Sequence, residues 1–188
     1  MSCVAIIPAR GGSVRVPRKN LRLFHGKPIM AYSVEAAKAS GVFDRVIVST
    51  DDDEISEVAQ AWGADVWRRP KDDGGRGTQE VAAEILKTMP EIDYACVIYP
   101  TAPMLDKFTL RTAFAQLAYR YAYYVVPVAT WLRDPGQFYF GQARAFGHIP
   151  LECASLMKID PATECDINTE FDWQKAEEMF KQLYPEGK

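Results

Sequence analysis

The segment Val4-Ala5-Ile6-Ile7-Pro8-Ala9-Arg10-Gly11-Gly12-Ser13 constrains the chain more than any other. Its first four residues form an apolar run with the length and composition of a buried strand. Pro8 ends the run, and two adjacent glycines follow within three residues. Adjacent glycines let backbone N–H groups turn toward an anion with no side chain in the way, as in loops that cradle phosphates. Four cations, Arg10, Arg15, Arg18 and Lys19, fall between positions 10 and 19. A strand, a glycine turn and clustered positive charge suit a bound nucleoside triphosphate. The same composition also suits a solvated basic loop between a strand and a helix. Neither the dinucleotide pattern G-x-G-x-x-G nor the P-loop pattern G-x-x-x-x-G-K-[ST] is present.

The rest of the chain narrows the partner. A net charge of −3 sets the clustered cations against a mildly acidic background, which favours a local anion site over a nucleic-acid surface. The 188 residues, 48% of them hydrophobic, fit one domain, 1–188, with a real core. Cys3, Cys96, Cys153 and Cys165 form no C-x-x-C pair, and with only His25 and His148 beside them they predict free thiols rather than a zinc site. The N-terminal apolar run is short and lacks a basic leader, and no run approaches the ~20 apolar residues of a membrane helix. These features predict a cytoplasmic protein with no membrane partner.

Read in order, the chain alternates. A helix is predicted over about Ile29 to Ser40, stopped by Gly41, then a buried strand at Arg45 to Ser49. Thr50 and Asp51 are candidate caps for a helix to about Trp62, with Glu54 in the capping-box position relative to Asp51. Ala64 to Trp67 reads as a short strand, and Thr78 as the cap of a helix to about Met89. Tyr94 to Tyr99 reads as a strand followed by Pro100 and Thr101, and Asp106 as the cap of a helix to about Tyr121. Strands are predicted at Tyr123 to Val128 and Ser155 to Ile159, and a final helix is capped by Thr169 and packs through Trp173, Ala176, Phe180 and Leu183. This alternation predicts a parallel sheet covered on both faces, with ligands bound at the carboxyl ends of its strands.

The run Pro8-Ala9-Arg10-Gly11-Gly12-Ser13-Val14-Arg15-Val16-Pro17-Arg18-Lys19-Asn20 resembles the first signature of the acylneuraminate and pseudaminic acid cytidylyltransferases, P-A-R-G-G-S-K-R-I-P-R-K-N, with Val14 at the lysine. Ser49-Thr50-Asp51 and Arg69-Pro70 resemble further family segments. Cys96-Val97-Ile98-Tyr99-Pro100-Thr101-Ala102-Pro103 and Asp134-Pro135-Gly136-Gln137-Phe138-Tyr139-Phe140-Gly141 are closest to the pseudaminic branch. Asp166-Ile167-Asn168-Thr169 resembles the family's D-I-D-T, with Asn168 at the second aspartate; it also reads as the entry turn of a helix. The family carries a longer stretch between the segments at Val128 and Arg133, an arm that shapes the sugar pocket and the dimer, and this chain lacks it.

The resemblance implies a three-layer α/β/α sandwich with a mostly parallel sheet, similar to the nucleotide-diphospho-sugar transferases. It implies CTP and a nine-carbon acidic keto-sugar as substrates, Mg²⁺ as cofactor, and a CMP-sugar and pyrophosphate as products. By the same likeness Arg10, Arg15, Lys19 and Asp166 are the catalytic candidates. Ala9, Arg10, Gly11, Gly12, Ser13, Asn20, Arg69 and Thr101 are the nucleotide-binding ones, with Asn20 or Thr101 at the cytosine edge or ribose. Arg133 and Gln137 would meet the sugar, and Asp166 and Asn168 would hold the metal. With the arm missing, the family's homodimer stays open. Val14 and Asn168 also admit a nucleotide-binding descendant without turnover, and the missing arm a transferase for a smaller co-substrate.

Overall fold

The computed structural model describes residues 1–71, 76–120, 122–129, 134–149 and 154–187. The opening apolar run forms β1 (Cys3–Pro8), buried from Cys3 to Ile7. A small antiparallel pair, β2 (Leu23–Phe24) and β3 (Lys27–Pro28), leads into α1 (Ile29–Ser40), which Gly41 ends in the left-handed region at φ 65°. β4 (Arg45–Thr50), α2 (Asp53–Ala61), β5 (Asp65–Arg68) and α3 (Thr78–Lys87) follow. Then come β6 (Tyr94–Ile98), α4 (Lys107–Arg120), β7 (Tyr124–Val128), β8 (Phe138–Gln142), β9 (Ser155–Lys158) and α5 (Glu170–Leu183).

Seven strands form one sheet in the order β5-β4-β1-β6-β8-β7-β9. β1, β4, β5 and β6 are mutually parallel, as predicted, and β9 is parallel to β7. β8 runs antiparallel to both neighbours and is a strand that periodicity did not show. Its Phe138, Tyr139 and Phe140 are all buried, so no alternation marks it. Gly141 is required there: a Cβ would lie 2.4 Å from the ring of Tyr124 on the neighbouring strand.

The alternating faces of the sheet bury two clusters. Ala5, Ile7, Val48, Cys96 and Phe140 pack with Met30 and Val34 of α1, Ile55 of α2 and Leu110 of α4. Val4, Ile6, Ile47 and Val97 pack on the other face with Val81, Ala82 and Ile85 of α3. A third cluster joins Trp173, Ala176 and Phe180 of α5 to Phe24, Ile29 and Tyr32, which ties the end of the chain to the segment after the glycine loop. This is the predicted sandwich of helices about a mostly parallel sheet. Cys3, Cys96 and Cys165 are buried free thiols, and Cys153 lies outside the described residues. Among the described residues no helix is long and apolar enough to cross a membrane.

Two caps differ from expectation by one residue. Asp52, not Thr50 or Asp51, caps α2 by accepting from the N–H of Ile55 at 3.0 Å. Gly77, not Thr78, is the N-cap of α3, and the Glu80 carboxylate accepts from its N–H at 3.0 Å. Each shift releases a side chain for other work.

Candidate active site at the carboxyl ends of the strands

Strand order reverses direction about β1, between β4 and β6, and that switch is where an open α/β sheet leaves a crevice. The glycine loop leaves β1 into this crevice. Ala9 is buried and its N–H donates to the Ser49 carbonyl of β4 at 2.8 Å. The N–H of Gly11 donates to Oδ1 of Asp51 at 2.9 Å. Asp51, freed from capping, thus fixes the loop. Gly11 is required sterically, because a Cβ would stand 2.5 Å from Oδ2 of Asp52, whereas Gly12 has open space around it. The N–H of Ser13 donates to the Gly11 carbonyl at 3.0 Å, which folds the loop back on itself.

A cleft of ≈ 370 Å³ opens above this loop. Arg10, Ser13, Arg15, Lys19, Asn20, Arg69, Thr101 and Asn168 all line it, so most of the sequence-derived candidates converge. Arg18 does not: it pairs with Asp52 at 2.6 Å and with Glu54, holding the loop to α2. Burial opposes the charge on Asp52, but the Ile55 amide and Arg18 outweigh it and hold the carboxyl below its ordinary range. Asn20 is buried, and its amide nitrogen donates to the Arg10 carbonyl at 2.9 Å, so its amide oxygen is the part left for a ligand. Arg76, Thr78 and Tyr99 also line the cleft. The sequence alone marks Thr78 as a helix cap and Tyr99 as the end of a strand within the run before Pro100-Thr101, and that position beside Thr101 is the signal that points to the cleft.

The D-I-N-T segment closes one side. The Lys19 ammonium donates to the Ile167 carbonyl at 2.6 Å, and Arg15 donates to Oδ1 of Asn168 at 3.1 Å. Burial lowers the Lys19 pKa, against the pull of Asp166 and with the repulsion of Arg15 and Arg10. Asp166 itself lines an adjoining cleft of ≈ 260 Å³ with Asp134, Asp172 and Lys175, and Asn168 borders both clefts. The described residues hold no group of three or more His, Cys, Asp or Glu arranged for a metal. Asp166 and Asn168 both line the smaller cleft, and a carboxylate and an amide oxygen are hard donors of the kind that suit a magnesium-type ion whose shell substrate phosphates complete.

The two sugar-binding candidates fare differently. Gln137 is 2% exposed and its amide donates to the Thr163 carbonyl at 2.8 Å. Its burial at the head of β8 engages the amide nitrogen with the chain itself. Arg133 lies outside the described residues.

The sequence model of the Cytidylyltransferase family matches residues 4–141. The chain belongs to that family. This cytidylyltransferase is 35% identical to the pseudaminic acid cytidylyltransferase of Campylobacter jejuni, with 96% of this chain and 97% of the relative aligned. That alignment runs over 225 positions, more than the 188 residues here, so the relative carries residues that this chain lacks. The N-acylneuraminate cytidylyltransferase B of Danio rerio is 30% identical over 93% of this chain and 50% of its own length. In fold, the chain matches a CMP:2-keto-3-deoxy-manno-octonic acid synthetase solved with CTP at a TM-score of 0.78 and 16% identity, covering 97% of this chain and 100% of that one.

Proposed function

We propose that this cytidylyltransferase couples CTP to a nine-carbon acidic keto-sugar of the pseudaminic or N-acetylneuraminic type, giving a CMP-sugar and pyrophosphate. The observation that carries the reading is the convergence of Arg10, Ser13, Arg15, Lys19 and Asn20 on one cleft in a chain aligned almost end to end with a pseudaminic acid cytidylyltransferase. In this reading the loop amides around Gly11 and Gly12 and the side chain of Ser13 receive phosphate oxygens. Arg10, Arg15 and Lys19 neutralise the triphosphate as pyrophosphate departs, a preorganised electrostatic contribution. Arg69 supports the phosphates or ribose, and the buried Thr101 and the amide oxygen of Asn20 face the nucleoside. The sugar hydroxyl approaches from the adjoining cleft, where Asn168 joins the two sites and holds the reactants in line.

Asp166 and Asn168 would hold Mg²⁺, which supplies Lewis-acid polarisation of the phosphoryl oxygens when bound. One domain carries the whole reaction in a cytoplasmic setting, where CTP is at hand. A second reading is favoured by one observation: the amide oxygen of Asn168 already accepts from Arg15, leaving Asp166 as the one carboxylate of the pair. In that reading the chain binds CTP and turns over slowly or not at all.

Calorimetry with CTP, UTP and ATP, followed by mass spectrometry of reactions with pseudaminic and N-acetylneuraminic acids, separates the two. Selective CTP binding with a CMP-sugar product supports the transferase. CTP binding with no product from either sugar supports the second reading, and no CTP binding overturns both.

A further inference from the structure

One hydrogen-bonded chain links the two clefts through residues that none of the roles above uses. Tyr99 lines the larger cleft and Asp134 the smaller, with Tyr139 between them. The antiparallel ladder brings this about. Val97 stands opposite Tyr139, and the N–H of Tyr99 continues the pairing to the Gln137 carbonyl at 2.8 Å. Tyr99 and Tyr139 are therefore diagonal neighbours on one face of the sheet. Their rings meet edge to face at 5.8 Å and 70°.

The direction of the hydrogen bonds follows from the carboxylate end. An ionised carboxylate only accepts. Oδ1 of Asp134 accepts from the N–H of Gly136 at 2.8 Å, in a turn where Gly136 takes φ 62°, and Oδ2 accepts from the Tyr139 hydroxyl. Burial, reinforced by the bond to Asp134, pushes the Tyr139 pKa far above the ordinary phenol range, so the proton stays on Tyr139. With that proton given to Asp134, the Tyr139 oxygen offers Tyr99 only lone pairs, and the Tyr99 hydroxyl donates to it at 3.4 Å. A phenol has one proton. With that proton given to Tyr139, the Tyr99 oxygen keeps only lone pairs for a ligand in the cleft that Tyr99 lines.

We propose that Asp134 and Tyr139 are positioning residues that hold the Tyr99 hydroxyl as a hydrogen-bond acceptor, so that this wall of the cleft reads a hydroxyl of the sugar co-substrate. The proposal rests on the transfer reaction given above. The sugar, rather than the nucleotide, is the ligand read because the hydrogen-bonded chain runs from Tyr99 to Tyr139 on β8 and on to Asp134, which lines the second cleft, away from β1 and its glycine loop on the other side of β6. Asp134 opens onto the cleft that Asn168 joins to the nucleotide site. A co-substrate spanning the two clefts passes Tyr99 with its hydroxyls.

The test is a double-mutant cycle on the full chain, Tyr99→Phe, Tyr139→Phe and both together, with pyrophosphate release measured against sugar concentration at saturating CTP. Each substitution keeps the ring and removes one hydroxyl. Each single variant is expected to raise the sugar KM roughly two- to tenfold, the span of one hydrogen bond, with CTP affinity by calorimetry unchanged. The double variant is expected to be no worse than Tyr99→Phe alone, because Tyr139 acts through Tyr99. Asp134→Asn, which lets an amide donate where the carboxylate only accepted, is expected to raise the sugar KM as Tyr139→Phe does. Additive single effects, unchanged sugar KM values, or an equal loss of CTP affinity would overturn the proposal and leave the transfer reaction standing. Absence of turnover in the wild-type chain with every sugar would overturn the transfer reaction and the proposal with it.

Discussion

Lys19 shows how the fold both holds a side chain and tunes it. It is held by the Ile167 carbonyl, and burial lowers its pKa below the ordinary lysine value. A triphosphate beside the ammonium favours the charged form, so the pKa rises on binding. CTP affinity is then full below the free-chain pKa and falls as pH rises from there to the bound-state pKa. Binding takes up a proton across that window. Calorimetry in two buffers of different ionisation enthalpy should detect this uptake at alkaline pH, and Lys19→Met should lose it; a wild-type chain with no uptake up to the ordinary lysine range contradicts the assignment. For the metal pair, Asp166→Ala is expected to cut turnover by about a hundredfold or more, the scale of one lost electrostatic contact. Its melting temperature should be unchanged, since Asp166 is exposed. Asn168→Asp is expected to raise turnover at limiting Mg²⁺, and a loss instead would show that the amide bonded to Arg15 is the adapted form. These residues were legible because their types and spacing carry the resemblance. Arg76 was not, and Tyr99 and Asp134 lie in segments that carry the resemblance but had no role assigned, because their place in the clefts comes from strand pairing and helix packing.

At the scale of elements, the first turn of α5 holds the D-I-N-T segment in place. Thr169 accepts from the N–H of Asp172 at 3.2 Å, and the Asp172 carboxylate accepts from the N–H groups of Asn168 and Thr169 at 3.0 and 2.7 Å. The capping box thus grips the backbone of the residue that borders both clefts. Thr169→Ala is expected to cost about 1 kcal/mol, a fall of about 2–4 °C in Tm for a chain of this size. CTP affinity should weaken with it, as Asn168 loses its fixed backbone; calorimetric and thermal scans of the variant check both. The Thr169 hydroxyl, ahead of the two backbone amides, holds the Asp172 pKa below the ordinary carboxylate range. The cap is therefore complete above that range and is lost as pH falls through the depressed value. Apolar periodicity and a terminal glycine located α1 to the residue, Ile29–Ser40. The cap of α2 slipped by one because Thr50, Asp51 and Asp52 are all competent caps, and only the tertiary bond from Gly11 to Asp51 decides among them. β8 was hidden for a related reason: burial on both faces erases the alternation that marks a strand.

For the molecule as a whole, the sheet gathers the site from distant parts of the chain. The glycine loop follows β1, Thr101 follows β6, and Asn168 precedes α5. The parallel half of the sheet was readable from alternating strands and helices, and β7 and β9 were predicted as strands, whereas their places in the sheet depend on β8, a return of the chain that no local signal announces. The alignment with the Campylobacter relative is longer than this chain, and the second cleft is lined by residues of α5, of the segment before it and of the turn before Gly136. The direct test of this account is pyrophosphate release from CTP and Mg²⁺ with pseudaminic acid as co-substrate. Release that needs both the sugar and CTP, and that Asp166→Ala abolishes, is the predicted result. Tight CTP binding with no release from pseudaminic or any other nine-carbon acidic sugar would contradict it.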